Sequence, residues 1–242
     1  MKALPSYPNP GLREWSLPPG VPGPNPWYRF WRVTLQLLAV AFWRVEVFNR
    51  HYEPTIGSAL YLCNHQSFLD PPLMSLALRR TMNFMARDGL FKPPVFRQMI
   101  LSLNAFPVRR GTADTAAIKE GLRRLKRGEQ LVVFPEGTRT TDGRIGPFLP
   151  GVTVLARRAA EWVVPTVIEG AFELFPRTRL LPALGPRIAV AYCRPFPKRE
   201  IDRLGPEGLL PAVRERMIAM QADLRRRMGR GPLRYDDSTD DG

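Results

Sequence analysis

Two short runs of this sequence are apolar throughout and then stop on polar residues. SALYLC, residues 58–63, gives way to Asn64 and His65, and LVVF, residues 131–134, runs into Pro135, Glu136 and Gly137. A strand without polar alternation has to be covered on both faces, the habit of parallel sheets packed between helices. Each run therefore reads as a buried strand delivering a polar loop. Further strands are expected at 84–87, 163–168 and 187–192, with a β-branched and aromatic stretch at 45–52. Between them lie helical patterns: 71–78, opened by Pro71 and Pro72; a helix capped by Thr112 or Asp114 that runs to Lys126 and stops at Gly128; 151–160; and 209–228. In the second of these, Ile118, Leu122 and Leu125 face inward and Lys119, Arg123, Arg124 and Arg127 outward. Strands alternating with helices give an α/β class, a mixed and largely parallel sheet flanked by helices. With 242 residues, 44% of them hydrophobic, the chain can bury one substantial core, so a single domain is expected.

The two ends differ from this middle. Residues 1–26 are proline-rich and lack the apolar centre of a secretory signal, which predicts an extended leader. Trp27, Trp31, Leu35, Leu38, Phe42 and Val45 then recur at helical spacing along one face, and the helix they define is apolar almost all round. The uncharged centre of that helix, 33–43, is bracketed by Arg32 and Arg44 and falls short of the ~20 residues a spanning helix requires. Tryptophans and arginines at its ends suit a lipid headgroup boundary, so 27–48 reads as a membrane-associating helix, with an ordinary core-packed helix as the other reading. Residues 229–242 end in DDSTDDG and read as a disordered acidic tail.

An excess of 36 Lys and Arg over 22 Asp and Glu, +14 at neutral pH, calls for anionic partners: nucleic acid, anionic lipid or phosphorylated substrates. No nucleic-acid recognition motif is present and the basic residues spread over several amphipathic helices, so a nucleic-acid partner is not expected. Cys63 and Cys193 sit in apolar runs without metal-ligand spacing; they read as buried free thiols, with a disulfide between them left open. No metal site is expected.

Only two histidines are present, His51 and His65. His65 stands in NHQSFLD, with Asp70 five residues on at the start of the proline-opened helix. That spacing suits a loop that folds back so the carboxylate meets one imidazole nitrogen and fixes its tautomer, leaving the other nitrogen to take a proton from a substrate hydroxyl. By itself the pair serves equally as a loop histidine beside a helix cap. FPEGTRT, residues 134–140, combines a carboxylate, a glycine turn, hydroxyls and the planar fork of Arg139, a combination suited to anion binding or to a surface turn closed by Glu136 and Arg139. AFPVRRGT, from Ala105, places Arg109 and Arg110 after another apolar run.

NHQSFLD, AFPVRRG, FPEGTRT and VVPTVIEG, in this order, resemble the lysophosphatidic acid acyltransferase family and its glycerol-3-phosphate acyltransferase relatives over residues 58–170. The resemblance implies that His65 is the general base and that Asp70 orients it. It implies that Glu136, Gly137, Thr138 and Arg139 bind the acceptor phosphate, with Arg110 matching the phosphate-binding arginine of the second block and Arg109 beside it. It also implies an acyltransferase domain at 49–228 bound to the cytoplasmic face of a membrane, a lysophospholipid acceptor, acyl-CoA or acyl-carrier protein as co-substrate, and no cofactor. The reaction implied is transfer of a fatty acyl group to 1-acylglycerol-3-phosphate; another lipid alcohol as acceptor, or a non-catalytic basic membrane-binding protein, are the alternatives. Two departures, Asn104 where many relatives have glycine and Pro150 where a lysine often precedes Gly151, are expected to bear on the acceptor rather than on the base.

Overall fold

A computed structural model of the chain describes residues 26–109, 114–176, 179 and 181–235. Eight strands form one sheet: β1 (Arg44–Phe48), β2 (Ala59–Cys63), β3 (Met82–Arg87), β4 (Ala105–Val108), β5 (Gln130–Val133), β6 (Trp162–Glu169), β7 (Arg187–Tyr192) and β8 (Phe196–Pro197). Their order is β1-β7-β6-β2-β5-β3-β4, with β8 beside β6. The pairings of β6 with β7 and β8 are antiparallel; the others are parallel. The mixed, largely parallel sheet expected from the apolar runs is present.

Strand periodicity divides the core into two layers. Leu60, Leu62, Leu131 and Val133 point to one face, where α4 (Thr115–Lys126), α5 (Gly151–Ala159) and α7 (Lys198–Arg227) pack. Ala59, Tyr61, Cys63 and Val132 point to the other, toward α2 (Asp70–Ser75), α3 (Pro94–Ser102) and α6 (Ala171–Leu174). The sheet is thus buried on both faces, which is why β2 and β5 carry no polar alternation. Cys63 and Cys193 are buried free thiols, and burial pushes Cys63 well above the ordinary thiol range and Cys193 up to about 12.

Several expectations shift. The strand expected within 45–52 ends at Phe48, and Arg50–Tyr52 is a single 3-10 turn. The helix expected at 209–228 begins at Lys198; Gly205 (φ 69°) breaks the helical conformation and Pro206 restarts it, the place where a fixed φ costs no hydrogen bond. Arg124 does not face outward: its guanidinium donates to Asn83 Oδ1 at 2.5 Å and to the Asn104 carbonyl at 2.9 Å, and lies over the Phe106 ring. The helix α1 (Pro26–Phe42) is present and, as expected, apolar on more than one side. Tyr28, Trp31 and Leu35 turn toward the domain, while Trp27 (64% exposed), Phe30, Val33 and Leu37 (66%) face outward. The membrane-associating segment expected as one helix over 27–48 is therefore a helix to Phe42 followed by β1. The tail expected to be structureless from 229 is placed as far as Tyr235, whose hydroxyl accepts from Ile145 N at 2.9 Å; the rest of the tail and the leader before Pro26 lie outside the described residues. Among the described residues, no helix is long and apolar enough to cross a membrane.

Candidate active site

Neighbouring parallel strands end at the same level, and β2 and β5 pair in register through Leu62 and Val133. The loops that follow them therefore emerge side by side, the crevice where open α/β sheets place their ligands. The first loop closes on one carboxylate. His65 Nδ1 lies 2.7 Å from Asp70 Oδ2, and the same oxygen accepts Gln66 N at 2.6 Å and Ser67 N at 2.7 Å. Three donors on one oxygen explain how a spacing of five works: the chain between the two residues wraps around the carboxylate rather than continuing as helix. Pro71 and Pro72 then fill the first turn of α2, where the missing N–H groups have no helical partner to lose. Complete burial raises the Asp70 carboxyl from its ordinary value, against the lowering effect of His65 and of the Ser67 and Gln66 amides. With Nδ1 engaged, Nε2 is the nitrogen available to a reacting group. The imidazole stacks on Phe134 with ring centroids 4.2 Å apart.

The second loop grips the first through its backbone. His65 N donates to Glu136 Oε1 at 3.0 Å, and the His65 carbonyl accepts Thr140 N at 2.7 Å. Glu136 Oε2 accepts Gly146 N at 3.1 Å, so both carboxylate oxygens are engaged by main chain. Burial pushes the Glu136 carboxyl up to about 7. Gly137 makes the turn possible: its φ is 68°, and a side chain there would meet Leu149. Thr138 is exposed, and the Thr140 hydroxyl closes the turn by bonding Asp142 and accepting Gly143 N.

His65 and Arg139 line one cavity of ≈ 320 Å³. Its remaining wall is mostly apolar, with Trp31 and Leu35 from α1, Leu76 just after α2, and Met99 and Ile100 from α3. Arg109 is not brought to this cavity; it is exposed, with its N–H donating to Asp114 Oδ2 at 2.7 Å. Arg110 lies outside the described residues. Among the described residues no cluster of three or more His, Cys, Asp or Glu could hold a metal ion.

One of the two departures from the family pattern finds a backbone explanation. Asn104 has φ 60°, the left-handed conformation in which asparagine is the usual substitute for glycine. Its place is conformational, and its carbonyl holds Arg124. Pro150 is exposed and immediately precedes α5.

Sequence reasoning gave no role to Gln66 or Glu169. Glu169 is buried at the end of β6 and accepts from Gln66, Gln221, Arg225 and Arg230. The available signal was a single charge closing an apolar strand; its partners, up to 103 residues away, were not visible in the chain.

The profile of the Acyltransferase family matches residues 44–169. Among proteins of known name, a chloroplastic 1-acyl-sn-glycerol-3-phosphate acyltransferase from Arabidopsis thaliana is 32% identical over 138 residues, 56% of this chain and 38% of that protein. A 1-acyl-sn-glycerol-3-phosphate acyltransferase from Bacillus subtilis is 25% identical over 192 residues, 78% of this chain and 96% of that protein. The chain thus spans little more than a third of the plant relative and nearly all of the bacterial one. The crystal structure of the 1-acyl-sn-glycerophosphate acyltransferase PlsC from Thermotoga maritima superposes with a TM-score of 0.68 at 25% identity, covering 82% of each chain. A profile match over more than half the sequence, taking in the His65–Asp70 pair and the turn that clamps it, means that this chain belongs to the Acyltransferase family.

Proposed function

We propose that the protein transfers a fatty acyl group from acyl-CoA or acyl-carrier protein to the free hydroxyl of 1-acylglycerol-3-phosphate, giving phosphatidic acid. The observation that carries this reading is the buried His65–Asp70 pair, at 2.7 Å, on the wall of an apolar cavity that also holds Arg139. The cavity suits an acyl chain, and a guanidinium suits the acceptor phosphate. His65 Nε2 removes the hydroxyl proton as the oxygen attacks the thioester carbonyl; the new C–O ester bond replaces the C–S bond, and the proton passes to the departing thiolate. Asp70 holds the imidazole in the tautomer that leaves Nε2 able to accept, and stabilises the imidazolium. The exchange is redox-neutral, and the scheme draws on no metal or cofactor. The names of the plant and bacterial relatives favour lysophosphatidic acid over other lysolipids as the acceptor.

The reading also places the protein at the cytoplasmic face of a membrane. Support comes from α1, which presents Trp27, Phe30 and Leu37 outward while Trp31 and Leu35 line the cavity, so one helix connects a lipid surface to the site. The test of the reaction is free-thiol release from palmitoyl-CoA with lysophosphatidic acid, glycerol-3-phosphate and lysophosphatidylcholine side by side. Release with lysophosphatidic acid that disappears in His65→Ala is the expected result; release that survives the substitution overturns the assignment of the base.

A further inference from the structure

The matched family segment ends at Glu169, yet the loops that hold His65 are fastened from beyond it. Gln221, buried on α7, donates from Nε2 to the Gly143 carbonyl and to Glu169 Oε2, each at 2.9 Å. Gln66, next to the base, donates from its own Nε2 to the same two acceptors, at 3.2 and 3.3 Å. The two amides therefore share a carbonyl and a carboxylate. The Gln66 side-chain oxygen accepts Phe172 N at 3.2 Å and its N–H is one of the three donors on Asp70, so no polar atom of this side chain is idle. Tyr235 completes the set: its hydroxyl donates to Gln221 Oε1 and accepts Ile145 N. Arg214, also on α7, donates to the Ile145 and Gly146 carbonyls at 2.9 and 3.1 Å. Gly146 N in turn donates to Glu136, and Glu136 accepts His65 N.

Two routes thus run from α7 and the segment after it to the base. One passes through Gly143 and Glu169 to Gln66 and Asp70. The other passes through Ile145 and Gly146 to Glu136 and the His65 backbone. Losing one member of a buried hydrogen-bond network leaves its partners unpaired in a low dielectric.

We propose that Gln221 and Tyr235 are positioning residues for acyl transfer, locking Gln66 and the 143–146 turn and through them the main chain and ring of His65. This rests on the reading of His65 as the base. Neither residue touches the cavity that holds His65 and Arg139, so they set geometry rather than substrate binding.

The test compares Tyr235→Phe and Gln221→Leu with the full wild-type chain by three measurements: kcat and KM for thiol release from palmitoyl-CoA, thermal midpoint, and the imidazole NMR resonances. With only two histidines in the chain, His65→Ala identifies the resonances of His65, and the exposed His51 is an internal control. The expected result is a kcat lower by about fivefold or more, with KM within about twofold and most of the protein folded, as for a group that acts on the transition state alone. The His65 resonance is expected to move while that of His51 stays. An unchanged kcat, a loss of rate matched by loss of folded protein, or an unmoved His65 resonance in both variants overturns the proposal. The resonances do not depend on the acyl donor or acceptor. Absence of turnover with lysophosphatidic acid would therefore sink the proposed reaction while the His65 shift still decides the positioning role.

Discussion

Glu136 holds His65 by the main chain and not by the ring: His65 N donates to Glu136 Oε1 at 3.0 Å, while the imidazole Nδ1 is held by Asp70. His65 is thus fixed by two carboxylates with separate tasks, one holding its backbone and the other its ring Nδ1. The family resemblance implies that Glu136 helps bind the acceptor phosphate with Arg139; in the structure both its oxygens accept backbone amides, which braces the loop.

Glu136→Gln tests this brace. The amide keeps one acceptor oxygen and turns an NH2 toward the second N–H, so one of the two bonds is lost. The expected outcome is a kcat lower by roughly tenfold with KM for the acceptor within about twofold. A KM raised tenfold at constant kcat would make Glu136 a substrate-binding residue instead.

The same residue predicts a pH dependence of stability. Burial raises its carboxyl from 4.5 to about 7, so between these values the folded chain holds a proton that the unfolded chain has released. The stability that Glu136 contributes is therefore fully present below pH 4.5, falls as pH rises through the window, and is lost above about 7. The loss is on the order of 1 to 3 kcal/mol. Urea unfolding of wild type and Glu136→Gln between pH 5 and 8 reads it: the wild type loses stability relative to the variant with rising pH, and parallel curves would refute the assignment. Asp70, also raised by burial, is present in both proteins, and its charge is one of the causes that raise Glu136.

Asp70→Asn separates orientation from helix initiation. The amide oxygen can still accept Gln66 N and Ser67 N, so the loop folds, but it does not stabilise an imidazolium. We expect kcat to fall by about 10³ or more with the thermal midpoint lowered only modestly. A fall of less than tenfold would reduce Asp70 to the residue that starts α2.

On α1, Phe30→Ser with Leu37→Ser removes two outward apolar side chains and leaves Trp31 and Leu35 on the cavity. Co-sedimentation with liposomes rich in anionic lipid should drop by roughly tenfold or more, because each side chain contributes about 1.5 to 3 kcal/mol when buried. Thiol release from soluble short-chain donors should persist. Undiminished sedimentation would move the membrane contact to the basic surface of the domain.

The chain determined by itself whatever depends on neighbours in sequence. Unbroken apolar runs located β2 and β5, prolines located the start of α2, and the spacing of His65 and Asp70 predicted their contact, because periodicity, fixed φ and a short loop are local properties. Strand order was not local. Only the pairing of β2 with β5 and β6 set His65, Glu136 and Glu169 around one loop, and no pattern in the sequence expresses which strands become neighbours. The same holds for Arg124, which a helical wheel turns to solvent and the sheet draws inward to Asn83 and the Asn104 carbonyl. For α1, apolar almost all round, the sequence did not say which side meets the domain; packing put one side on the cavity and the other outward. Burial acted on the carboxyls as well: Glu136 reads in sequence as an ordinary acid, and its carboxyl is raised chiefly because the closed fold removes water from it.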